Sequence, residues 1–83
     1  MQSTETDLFE IFVSDLRKLA NRKADLYDGK NKTIAYDRAL GFAVEELGEI
    51  SSAFIRDRME LARAECFDLA HSSFLIWLSL QSK

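Results

Sequence analysis

The segment Leu69 to Leu80 is apolar almost all the way round a helix. Phe74 and Leu78 continue one side from Phe67, while Leu69, Ile76 and Leu80 lie on the other. A helix of that character has to be covered on every side. The chain has 83 residues, near the size at which a lone core gives only marginal stability, and the other helices it has room for cannot surround this one. The remaining cover has to come from another subunit, so a homodimer or a dimer-of-dimers tetramer with helical-bundle packing is expected. No proline, three glycines and 47% hydrophobic residues fit an all-α chain with short connections. The expected fold is an antiparallel helical bundle of about three main helices, a single domain over 1–83 completed by oligomerisation.

The helices can be placed from their caps and periodicity. Ser3 or Thr4 can cap a first helix, with Thr4-x-x-Asp7 resembling a capping box, and Leu8, Phe9, Phe12, Leu16, Leu19 and Ala20 recur at helical spacing to about Leu26. Asp28-Gly29-Lys30-Asn31-Lys32 reads as a loop. Thr33 or Asn31 can then cap a second helix whose apolar face is Tyr36, Leu40, Ala43, Val44, Leu47, Ile50 and Phe54. On that reading the helix buries this face and carries Phe42, Glu46, Glu49, Ala53 and Arg56 as a stripe on its flank. A tight turn is expected around Ile55 to Asp57, where Asp57-x-x-Glu60 reads as a capping box for a third helix from about Arg58 to Gln81.

That turn decides what the acids can do. Glu46 and Glu49 project from one face one helical turn apart, as do Glu65 and Asp68. On a straight helix Glu49 and Glu65 would lie about 24 Å apart, so the two pairs meet only if the chain folds back between them. Four carboxylates brought together repel one another unless some are protonated or a cation lies among them. Mg2+, a hard cation that takes oxygen ligands, suits such a set, with Mn2+ able to substitute.

The same residues carry a resemblance. Glu46-x-x-Glu49, 15 intervening residues and Glu65-x-x-Asp68 look like the signature of the MazG-like all-alpha nucleoside triphosphate pyrophosphatases. Val44-Glu45-Glu46-Leu47-Gly48-Glu49-Ile50 resembles the first motif helix of that family. Glu65-Cys66-Phe67-Asp68-Leu69 with Leu75-Ile76-Trp77-Leu78 resembles the second, so that the likeness spans roughly residues 33 to 80. It implies Mg2+ held by Glu46, Glu49, Glu65 and Asp68, a nucleoside triphosphate substrate, and attack at the α-phosphorus to give monophosphate and pyrophosphate. One of Glu46 or Glu49 would orient or deprotonate the attacking water. Many members carry a bulky residue four places after the last motif acid, near the nucleotide; here that position is Ser72.

Rival readings accompany each residue. The acids also fit a solvated helix face paired with Arg56, Arg58 and Arg63, in a non-catalytic helical module that binds a nucleotide or a protein. Phe42 and Trp77 can stack on a base, or belong to the core; Arg56 can meet a phosphate, or lie exposed on the surface. Glu45 reaches a ligand only from the edge. The lone His71 suits a partly buried place near the site better than the Glu-x-x-His scheme of di-iron bundles. Cys66, the single cysteine, reads as a small core residue, and among Lys30, Lys32 and Arg38 nothing selects. A net charge of −3 without a basic stripe argues against nucleic acid. Neither a signal-peptide start nor a span of bilayer length is present, and a cytoplasmic location is the expectation.

Overall fold

In a computed structural model the chain is described over residues 4–26 and 29–81, with side chains over 4–25 and 38–81. Among these residues there are three helices and no strand: α1 (Glu5–Leu26), α2 (Gly29–Ile55) and α3 (Met59–Gln81). The first cap is made as the sequence indicates. The Asp7 amide donates to Thr4 Oγ1 at 3.1 Å, the Thr4 amide donates back to Asp7 Oδ2 at 3.3 Å, and the Thr4 carbonyl accepts from the Leu8 amide. Two orphan donors are thereby satisfied reciprocally. Ser3 and Asp28 lie outside the described residues, as do the side chains of Lys30, Lys32 and Tyr36.

The expected loop over 28–32 is replaced, from Gly29 onward, by helix. Asn31 and Thr33 are therefore interior positions and not caps. Glycine costs a helix about 1 kcal/mol and asparagine or lysine less, so without a proline this stretch can simply prolong the helix behind it.

The turn between α2 and α3 falls where the sequence places it, but the device is different. Asp57 is left-handed, with φ 57°. Its amide donates to the Phe54 carbonyl, and the Arg58 amide reaches the Ala53 carbonyl at 2.8 Å. Those two bonds define a Schellman motif with Asp57 in the position usually held by glycine. The Arg58 carbonyl accepts the first bond of α3, from Ala62. Arg58 is thus the N-cap, and the expected Asp57–Glu60 capping box is not formed.

This turn folds α3 back antiparallel on α2, so that Ala39 packs by Leu75 and Glu46 by Ser72. α1 lies against α3, with the Phe12 ring stacked on Phe67 at 4.8 Å. The side of α2 that meets α3 is not the greasy one. Ala39 and Ala53 are buried, whereas Leu40, Val44, Leu47 and Phe54 are 58–68% exposed. Small residues and the acidic stripe face inward, which lets the helices approach closely at the cost of leaving the bulky apolar face uncovered. On α3 Cys66 is exposed and is not the core residue expected, and of the two readings of Trp77 its 55% exposure excludes the core. The radius of gyration, 14.3 Å, exceeds the roughly 12 Å of a compact chain of this length.

Candidate metal centre

The fold brings the two acid pairs together. Carboxylate oxygens of Glu46, Glu65 and Asp68 all lie within 4.8 Å of one another. Glu49, one turn along α2, is hydrogen-bonded to Glu65. All four line a cavity of about 250 Å3 between the helices, together with Lys23, Phe42, Glu45, His71, Ser72 and Leu75.

Burial and mutual repulsion set the protonation of these acids. Burial pushes the Glu65 carboxyl up to about 7, helped by its hydrogen bond to Glu49 and by the charges of Glu49, Asp68 and Glu46. Glu65 therefore keeps its proton to higher pH than an ordinary carboxyl. Glu46 is also raised, by burial first. The Ser72 hydroxyl, donating to Glu46 Oε1 at 2.5 Å, holds it down, Asp68 raises it, Lys23 lowers it and Glu49 raises it again. His71, buried beside them, is lowered by burial and by Lys23, against the pull of Asp68.

The arrangement sorts the residues singled out in the sequence. Phe42 is half-buried on the cavity wall, and Glu45 stands exposed at its edge. Ser72 is 4% exposed and engaged with Glu46. Arg56, Arg58 and Arg63 are exposed and do not line the cavity, and Trp77 stacks on Phe74 outside it. Among the described residues, the cation that approaches the acids is Lys23, whose Nζ lies 3.8 Å from Asp68 Oδ1. Its signal was present: Lys23 continues the line of Leu16, Leu19 and Ala20, so a charge occupies the inward face of α1.

The donor set can be tested against a metal by its chemistry. Three carboxylates at this spacing, with no thiol, suit a hard divalent cation that takes oxygen ligands. The crowding of these acids, which raises the Glu65 and Glu46 carboxyls, is the second sign of fit, since a cation among them would offset that repulsion. No helix among the described residues is long and apolar enough to cross a membrane. No family model matches the chain, and no curated protein or solved structure is significantly similar to it. What fold and site define together is an all-helical chain with an acid-lined cavity between two antiparallel helices.

Proposed function

We propose that this chain is a divalent-metal-dependent nucleoside triphosphate pyrophosphohydrolase that releases a nucleoside monophosphate and pyrophosphate. The observation that carries the reading is the convergence of Glu46, Glu65 and Asp68 within 4.8 Å from two helices, in the register that the motif resemblance implies. Glu46, Glu49, Glu65 and Asp68 would hold Mg2+, or Mn2+ in its place. When bound, the ion supplies charge neutralisation on the phosphate oxygens and the leaving pyrophosphate.

The chain's own residues have separable parts. Glu46 is held in place by Ser72, which suits a ligand. Glu49 is exposed on the cavity wall, which suits orienting water and taking its proton. Phe42 offers a ring on the wall for the base, and Ser72, in place of a bulkier residue, leaves room beside it. Lys23 is the cation placed to meet a phosphate oxygen. Arg56 is exposed at the turn, outside the cavity lining. The active form is a homo-oligomer, dimer or tetramer, acting on free nucleotides.

A specific observation favours the rival, a non-catalytic helical binding module. Lys23 and the Glu49–Glu65 hydrogen bond give the acids partners without any metal. Product analysis decides between the two: the purified protein is incubated with canonical and modified nucleoside triphosphates plus Mg2+, beside EDTA and Glu49→Ala controls. Monophosphate and pyrophosphate formed only with metal and intact Glu49 are expected. No turnover by folded protein would leave the binding module.

A further inference from the structure

The acidic cavity has a direction. Its apolar end holds Phe42 and Leu75, the latter packed by Ala39 one turn before Phe42. Glu46 and Ser72 come one turn further along α2. At the far end Glu49 meets Glu65, with Asp68 and Lys23 alongside. Glu45 lies between the two ends, about 4.5 Å along the helix axis from Phe42 and about 60° round from it, on the exposed rim.

Glu45 differs from the other four carboxylates of the lining. Glu46 is held by Ser72, Glu49 and Glu65 by each other, and Asp68 by Lys23. Glu45 has no ion pair or hydrogen bond among the described residues. Nor does it belong with the oxygens of Glu46, Glu65 and Asp68 that lie within 4.8 Å of one another. A bare carboxylate on the wall repels a polyphosphate, so what it can face is an uncharged, hydrogen-donating part of a nucleotide. Aromatic ring, lone carboxylate, then metal-binding acids with a lysine is the order of base, sugar and phosphates. We infer that Glu45 accepts hydrogen bonds from the 2′- and 3′-hydroxyls of the substrate's ribose, and that the site thereby selects ribonucleotides over deoxyribonucleotides. The inference rests on the nucleotide reading above for the occupant of the cavity.

The chemistry of the contact is well matched. A carboxylate offers two acceptor oxygens, and the cis-diol of ribose offers two donors where deoxyribose has one. An acid plays the same part toward ribose in dinucleotide-binding folds, and the 2′-hydroxyl is the group by which proteins tell the two sugars apart. A base resting on Phe42 sets its sugar toward the acids, which is the side on which Glu45 stands.

Two measurements on the full chain test it. Calorimetry with Mg2+ present compares adenosine monophosphate with its 2′-deoxy counterpart, and kcat/KM compares the two triphosphates. Wild type should favour the ribonucleotide about tenfold in both, as one hydrogen bond to a charged acceptor allows. Glu45→Ala should bring both ratios close to one. Alanine is the best helix former and the site is exposed, so the fold is kept. Losing a negative charge strengthens both ligands alike, which makes the ratio the measure. A wild-type ratio of one or below, or a preference that survives in Glu45→Ala, overturns the inference. Turnover without sugar preference overturns it alone and leaves the pyrophosphohydrolase reading intact. Selective monophosphate binding through Glu45 without turnover upholds it and overturns that reading, and no binding of either monophosphate with no turnover overturns both.

Discussion

Ser72, buried on α3, donates its hydroxyl to the half-buried carboxylate of Glu46 on α2, tying the two motif helices together at the floor of the acidic cavity. Hydrogen bonds to charged groups contribute about 1.5–3 kcal/mol when buried, and Glu46 is only half-buried. Ser72→Ala should therefore cost about 1 kcal/mol in urea denaturation at neutral pH and raise the Glu46 pKa further. An unchanged denaturation midpoint would show that the bond contributes nothing.

The Glu65 carboxyl titrates near 7 in the folded chain against 4.5 as its ordinary value. Between those values the folded state holds the proton that the unfolded state has released. Its contribution is complete below about 4.5 and is lost as pH rises through 7, so metal-free protein should lose stability across that window. His71 acts oppositely. With its pKa lowered from 6.5, its contribution is present above 6.5 and fades as pH falls. Thermal melts in EDTA should show Glu65→Gln more stable than wild type at pH 8 and with the downward slope removed; a wild-type slope in that variant would refute the assignment.

Metal should reverse this behaviour. Ions that displace the Glu65 proton should stabilise the folded state by about 1.4 kcal/mol at ten times Kd, a Tm increase of several degrees for a chain this small. The increase should be larger at pH 8 than at pH 5, and absent in Asp68→Asn. Mg2+ titrations with equal shifts in wild type and variant would exclude these acids as ligands.

Lys23 competes with any cation for Asp68, at 3.8 Å. The pair is partly exposed, so Lys23→Met should change stability by less than about 1 kcal/mol. By calorimetry it should tighten Mn2+ binding a few-fold, while raising KM for a triphosphate. Weaker metal binding in that variant would mean that Lys23 supports the site only by packing.

Asp57 holds a left-handed conformation that glycine adopts without penalty. Asp57→Gly should stabilise the chain by roughly 0.5–1 kcal/mol, read from the shift in thermal midpoint. A loss of stability would show that the Asp57 side chain supports the turn in a way the backbone does not reveal.

The acid positions were legible because carboxylates at a helical repeat, in a chain long enough for one reversal, can meet in few ways. The reversal was legible too, though for the wrong reason. Asp57 resembles an N-cap in sequence, and the choice between capping forward and capping back depends on its φ, which periodicity does not encode. Greasiness alone places Leu40, Val44, Leu47 and Phe54 on the inner face of α2. Ala39 and Ala53 are buried instead because small side chains permit the close approach that brings Glu46 to Ser72. Cys66 is exposed for the same reason, since apolar character shows what a residue favours and not which surface is at hand. Lys23 went unread because its role needs the crossing of α1 over α3, a contact between distant parts of the chain.

α2 has its small and charged side turned inward and its bulky apolar side turned out. Its roll about its own axis, which sets Glu46 and Glu49 against Glu65 and Asp68, is therefore only lightly braced within one chain. If copies brace it from outside, dilution should loosen the site before it unfolds the helices. Metal affinity would then fall as the protein is diluted, so that the amount of protein present would set how well its acidic site is formed.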